Sequence, residues 1–264
     1  VQGKVQDVRI AALYDVHGNL PALDAVLAEV RRAGVDRIVV GGDVLPGPMP
    51  RETMARLLDL EIPTQFIYGN GDLAILAQMK AADPSTVAYW GTSGGTPLPE
   101  SFGELFRWTG RQVREFQGVL ESWPLTTTVE IDGLGKVLFC HATPRNETEI
   151  FTRVTPEDRL LPVFAGVDAS VVVCGHTHMQ FDRMVGRLRV INAGSVGMPF
   201  ATTGADWLLL GPGIELRKTN YDTAAAAEQF RRMDYPMVEE MAVRYILNPP
   251  TEQELFAAWA PVEV

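Results

Sequence analysis

Apolar positions in the first third of the chain follow two alternating rhythms. A run from Val8 to about Tyr14 predicts a buried strand. Leu20, Leu23, Val26, Leu27 and Val30 then share one face of a helix from Asn19 to about Ala33, with Pro21 in its first turn. Asp36 to Gly41 and Pro63 to Tyr68 read as two more strands, separated by the loop Pro46-Gly47-Pro48-Met49-Pro50 and a helix from about Arg51 to Leu60. Strand alternating with helix predicts a parallel sheet with right-handed crossovers.

The rhythm breaks after a helix from Asp72 to about Lys80. Residues 81–124 hold little strand signal, a Gly-rich loop from Gly91 to Pro99, and a helical pair around Ser101 to Thr109 and Arg111 to Ser122, so they read as a cap inserted into the domain. Tyr89, Trp90, Phe102, Phe106, Trp108, Phe116 and Trp123 lie there; they could stack a base or an aromatic leaving group, although aromatics at helical spacing more often simply pack. The second half is richer in strand pattern: Thr126 to Ile131, Lys136 to Cys140, Ser170 to Cys174, Leu188 to Asn192, Trp207 to Leu210 and Ile214 to Lys218, interrupted by a helix from about Pro156 to Phe164. Helical pattern returns at Asp222 to Met233, Pro236 to Tyr245 and Thr251 to Ala258. Two sheets face to face with helices outside, in one domain over 1–264 with a C-terminal helical extension from 222, is the layout expected.

Polar chemistry gathers where these strands stop. All four histidines follow apolar runs: His17 after Ile10 to Tyr14, His141 after Val137 to Cys140, and His176 and His178 after Val171 to Cys174. The run Ile38-Val39-Val40-Gly41-Gly42 ends in Asp43, and Gln65 to Tyr68 leads into Gly69-Asn70. Strand tips are where α/β sheets place ligands.

With 264 residues and a formal charge of −10, the chain can bury a large core, while its acidity disfavours nucleic-acid polymers and anionic membranes as partners. A phosphate substrate would need local positive charge, which metal ions could supply. Cys140 and Cys174 read as small buried apolar side chains of a reducing compartment, and no apolar run spans a bilayer or forms a signal-peptide core, so a cytoplasmic protein is expected. Asn19 and Asp72 are better read as helix caps than as ligands.

In chain order the polar pieces are Asp15-x-His17-Gly18-Asn19, Gly41-Gly42-Asp43, Gly69-Asn70-Gly71-Asp72, Cys140-His141 and Gly175-His176-Thr177-His178. Each is weak alone, and all five in order after strands are specific. Together with Asn192-Ala193-Gly194-Ser195-Val196-Gly197 they give the chain, over about Val8 to Gly197, a close similarity to the calcineurin-like metallophosphoesterase superfamily, in its small bacterial and archaeal phosphodiesterase-like branch. The resemblance implies a four-layer α/β/β/α sandwich and a two-metal site. In that site Asp15, His17 and His178 hold one ion, Asn70, His141 and His176 the other, and Asp43 bridges them. Asp43 and Asn70 would be catalytic, the nucleophile a hydroxide shared by the two ions, and Asn70 and Arg145 contacts to the substrate. Imidazoles with hard oxygens and no thiolate suit a divalent transition metal, Mn²⁺ first and Fe, Zn²⁺, Co²⁺ or Ni²⁺ as alternatives.

Three departures qualify what the resemblance implies. Many relatives have a histidine after the metal-binding Asn, where this chain has Gly71; without that acid, small or nucleotide-like diesters with good leaving groups are expected over alkyl monoesters. Asp43-Val44-Leu45-Pro46-Gly47 lacks the Asp-Arg-Gly of protein phosphatases, and Phe200 stands where the branch often has Arg. The expected function is metal-dependent phosphoester hydrolysis, with residues 81–124 and the C-terminal helices shaping a pocket or a homo-oligomer interface. The alternative is a protein-binding scaffold on the same fold.

Overall fold

The computed structural model describes residues 8–83 and 99–264. The expected Gly-rich loop and the aromatics Tyr89 and Trp90 fall outside these residues. The first half runs β1 (Ile10–Leu13), α1 (Leu20–Ala33), β2 (Arg37–Val40), α2 (Pro50–Leu58), β3 (Thr64–Phe66), α3 (Asn70–Lys80), α4 (Glu100–Gln112) and the short α5 (Gln117–Leu120). Then follow β4 (Thr126–Ile131), β5 (Gly135–Cys140), the one-turn α6 (Glu157–Leu160), β6 (Val171–Cys174), β7 (Phe181–Val185), β8 (Leu188–Asn192), β9 (Ala205–Leu210) and β10 (Ile214–Thr219). The chain closes with α7 (Thr223–Phe230), a π-helical segment (Glu240–Leu247) and α8 (Glu252–Trp259).

The strands form two five-stranded mixed sheets, ordered β10-β9-β1-β2-β3 and β4-β5-β6-β8-β7. Alternation along β1 explains how they stack. Ile10 and Ala12, followed by Tyr14, face Val137, Phe139, Val171 and Val173 between the sheets, while Ala11 and Leu13 face Leu23, Val26 and Leu27 of α1. The tyrosine hydroxyl of Tyr14 crosses the inter-sheet layer to donate to the Val173 carbonyl at 3.0 Å. Behind the second sheet, Phe151, Leu160, Val163 and Phe164 cover Val172, Val190 and Phe181, which completes the four layers. A further cluster joins Leu105 and Trp108 of α4 to Phe230, Tyr235, Met241 and Ile246 of the C-terminal region.

Strand β7 is the element that its pattern hid. Phe181 and Val185 are buried but Asp182 and Met184 face solvent, and Asp182 pairs with Arg189 on the adjacent β8, so a charged edge strand replaced the apolar run that a strand expectation needs. The expected helix over 156–164 closes after one turn, and that over 236–245 begins later, as the π-helical segment. Both thiols are buried, and burial raises their pKa; Cys174 points at the Ile191 carbonyl, away from the histidines. No helix among the described residues is long and apolar enough to cross a membrane.

Candidate metal centre

The two sheets bring their strand tips together at one edge, and six of the seven expected ligands meet there in two groups. Ligand atoms of Asp15, His17 and His178 all lie within 4.8 Å of one another, and so do those of Asp43, His141 and His176. Asn70, the seventh, opens α3 with its Oδ1 3.1 Å from Nε2 of His141. Between the groups, Oδ2 of Asp43 stands 3.8 Å from Nε2 of His17 and 3.6 Å from Nε2 of His141.

The backbone is bent to reach this arrangement. Asp15, His17, Asp43, His176 and His178 all adopt positive φ, between 45° and 66°. For residues other than glycine such conformations cost about 1–3 kcal/mol each, and they persist only where surrounding contacts over-determine them. Here the His17 amide donates to the Asp43 carbonyl at 3.0 Å, and the stretch Asn192–Gly197 holds Asp15 and the Gly175–His178 turn. Asn192 donates to the Gly175 carbonyl and to Thr177, Ser195 donates to the Asp15 carbonyl at 2.7 Å, and the Gly197 amide donates to the same carbonyl at 3.0 Å. That motif therefore clamps the tips of β1 and β6 to each other across the two sheets. Close approach also requires glycine: a Cβ at Gly69 would overlap the Asp43 backbone and carboxylate.

Hydrogen bonds orient the imidazoles. Nδ1–H of His17 donates to the Pro46 carbonyl at 3.2 Å, that of His178 to Met198 at 2.8 Å, and that of His141 to Gly41 at 2.9 Å. With Nδ1 engaged in this way, each ring turns its Nε2 inward. His176 is reversed, its Nε2 facing the Thr148 carbonyl at 3.3 Å, which leaves Nδ1 for the centre. Nε2 of His17 and His178 then sit 3.2 Å apart, acceptor against acceptor. Oδ1 of Asp15 is fully buried and accepts no hydrogen bond, although Nε2 of His178 lies 3.3 Å away. Buried acceptors aimed at one another with no donor between them are destabilising, and a cation between them removes the penalty. Four imidazoles and a carbonyl oxygen converging on two carboxylates, with no thiol, fit hard to intermediate divalent metals.

The electrostatics agree. Burial, with His141 beside it, pushes His176 down to about 4, and burial with His178 nearby also lowers His17. Burial opposes charge on His141 too, but the Asp43 carboxylate, with Asp15 behind it, overrides that and pushes it up to about 10. Asp43 and Asp15 stay below the usual carboxylate range despite burial, Asp43 through His141 and His17, Asp15 through His178 and His141. Without metal the two carboxylates are held ionised by the imidazoles around them, a favourable charge that bound cations would replace.

Asn19 and Asp72 are caps, as expected. Asn19 accepts from the Ala22 amide and donates to Gly197 and Tyr221, and Asp72 accepts from the amides of Gly69 and Leu45. Arg145 is engaged elsewhere in this structure. Its guanidinium is forked onto Glu149 four residues on, at 2.6–3.1 Å, half exposed and outside the lining of the adjoining cavity, so the structure does not bring it to the site. Phe200, at the position of the missing arginine, stacks on His178 at 4.6 Å and packs against Tyr245 and Trp259, tying the C-terminal extension to the site.

A cavity of about 320 Å³ opens beside His17, Asp43, Asn70 and Gly71. Of the aromatics in residues 81–124, Phe102 and Phe106 line it, whereas Trp108 and Trp123 pack against Tyr235 and Phe66. The rest of the wall comes largely from the C-terminal region, through Tyr235, Met237, Met241 and Tyr245; the C-terminal helices were expected to shape a pocket or an interface, but none of these residues was singled out. Their signal was available: Met237, Met241 and Tyr245 recur every four residues, one helical face.

Comparison with known proteins accords with this geometry. A metallophosphoesterase from Sphaerobacter thermophilus superposes with a TM-score of 0.66 at 25% identity, over 90% of this chain and 99% of its own. A hypothetical protein from Pyrococcus horikoshii shares the fold, with a TM-score of 0.75 at 18% identity over 92% of this chain and 100% of the other. An uncharacterized protein of Methanocaldococcus jannaschii is 30% identical over 248 residues, 86% of this chain and 93% of its own. Residues 8–210 match the calcineurin-like phosphoesterase superfamily domain, and the chain belongs to that superfamily.

Proposed function

We propose that this chain is a phosphodiesterase that works with two divalent transition-metal ions, Mn²⁺ by preference. Asp15, His17 and His178 would hold one ion, Asn70, His141 and His176 the second, and Asp43 would be shared. The observation that carries the reading is the position of the Asp43 Oδ2, 3.8 Å from an imidazole of one group and 3.6 Å from an imidazole of the other, with an unsatisfied Asp15 oxygen beside it. When bound, two such ions supply an acidified water and a positive clamp for a phosphoryl group.

The protein's own residues set the rest. Backbone carbonyls fix the tautomer of His17, His141 and His178, so that no reorganisation is needed when charge develops. Asn70 would hold an ion through its Oδ1, beside Nε2 of His141, and offer its amide N–H to a phosphoryl oxygen. Beside it Gly71 offers no proton to a leaving group, which favours small diesters with stable leaving groups over alkyl monoesters. Residues 81–124 and 222–264 would act as the cap over the site.

Chelation tests this directly. Protein stripped with dipicolinate is expected to lose hydrolysis of bis(p-nitrophenyl) phosphate by at least about 100-fold, with recovery on adding Mn²⁺ at two equivalents per chain by elemental analysis. Turnover that survives stripping would remove the mechanism. Arg145→Ala is expected to leave KM within about fivefold of the parent, the limit for losing an exposed ion pair, in steady-state kinetics on the same diester. A larger rise in KM would restore Arg145 as a grip on phosphate.

A further inference from the structure

The cavity beside the metal centre differs from a nucleotide site in its chemistry. Apart from His17, Asp43 and Asn70 at its inner end, its walls are Phe102, Leu105, Phe106, Met198, Tyr235, Met237, Met241 and Tyr245, and the one further charge is an acid, Glu240. Among the described residues no lysine or arginine lines it, and the sequence between Asp83 and Pro99 contains no basic residue either. A second phosphate entering this space would be desolvated against aromatic rings and repelled by Glu240, with no partner to pair it. At about 320 Å³ the cavity is at the small end of ligand sites. Beside a phosphoryl group it receives one ring or a short alkyl chain against apolar walls, and it offers a further phosphate no partner. Three of its walls are methionines, side chains that reshape around differing apolar groups.

We infer that the substrate is a small phosphodiester carrying a single phosphate and one apolar alcohol, alkyl or aryl, which the cavity receives while the metal centre holds the phosphoryl group. The inference rests on the phosphodiesterase reading and narrows it, since nucleotide-like esters drop out. Two parts of the chain outside the sheets build this wall: α4 supplies Phe102, Leu105 and Phe106, and the C-terminal region supplies Tyr235, Met237, Met241 and Tyr245. Trp108 stacked edge-on to Tyr235 at 5.5 Å holds the two parts together, so the pocket is assembled by packing between insertion and extension.

A series of p-nitrophenyl phosphodiesters with one leaving group tests this. The second alcohol is methanol, butanol, phenol, ethanolamine or thymidine through its 5′ oxygen, and the enzyme is loaded with Mn²⁺. kcat/KM is expected to rise about fourfold per methylene, some 30- to 60-fold from methyl to butyl, with the phenyl ester as fast as butyl and the thymidine and aminoethyl esters slower. In Met237→Glu and in Phe102→Ala, both at half-buried positions, the gain per methylene is expected to fall below about twofold. Equal rates across the series, or a lead for the thymidine or aminoethyl ester, would overturn the inference and leave the hydrolase reading standing. Should no ester be turned over, the hydrolase reading fails, and calorimetric binding of methyl- and butylphosphonate decides the cavity on its own. Tighter binding of butylphosphonate, with a negative heat-capacity change, upholds the apolar pocket, and equal affinities reject it.

Discussion

Asp43→Asn is expected to lower kcat for an aryl phosphodiester by at least about 10³-fold, roughly 4 kcal/mol of transition-state stabilisation. The side chain keeps its shape, and its remaining carboxamide oxygen can still accept the Gly71 amide, which now donates to Oδ1 at 2.7 Å. What disappears is the second anionic oxygen, the one between His17 and His141. An amide nitrogen there would face two imidazole lone pairs as a donor and present nothing to a cation. The centre would also hold one carboxylate, Asp15, where it held two, so elemental analysis should find at most one ion per chain in place of two. Since Asp43 is the main influence raising His141, that imidazole should titrate lower in the metal-free variant, which histidine proton resonances would follow. A variant that loads two ions and turns over within tenfold of the parent would leave the shared carboxylate without a role.

Why Asp43 could be singled out from sequence, and much of its setting could not, has a physical answer. Ile38-Val39-Val40-Gly41-Gly42 is a buried parallel strand with an abrupt end, and such patterns are local, readable within a few residues. The same holds for β1, β6 and their trailing Asp-x-His and His-x-His, so the two sheets and the gathering of these side chains at one edge were legible. Left-handed backbone at five of those residues was not, because it is held by contacts distant in sequence, such as that of Ser195 with the Asp15 carbonyl 180 residues away and that of the His17 amide with the Asp43 carbonyl. The engagement of Arg145 by Glu149 was open to a helix-like i to i+4 reading, but that loop has no helical pattern to prompt one. The cavity wall depends on α4 meeting the C-terminal region, a contact between amphipathic segments more than 120 residues apart, which periodicity marks as faces without saying what they face. Strand β7 failed for the opposite reason: its apolar residues are too few, since an edge strand with a charged outer face buries only alternate side chains.

Gly71 makes the strongest claim on stability, and there the absent histidine has a steric cause. A Cβ at this position would overlap the Leu45 carbonyl oxygen and come within 3.1 Å of Oδ1 of Asp43. The Leu45–Pro46 loop cannot simply withdraw, because the Leu45 amide is held by buried Asp72 at 3.0 Å and the Pro46 carbonyl receives the Nδ1–H of His17. Gly71→Ala is therefore expected to cost about 2–4 kcal/mol, from overpacking and a weakened hydrogen bond to the Asp43 carboxylate, read as a lower midpoint in urea at unchanged slope. Gly71→His should cost at least as much. Since retreat of Pro46 would carry His17 with it, Gly71→His should also bind metal more weakly and gain no activity on alkyl monoesters, even though it restores the acid that relatives carry. A Gly71→His protein that matched the parent's stability and cleaved such monoesters faster would mean that the loop yields, and that the glycine, not the fold around it, was all that kept the acid out.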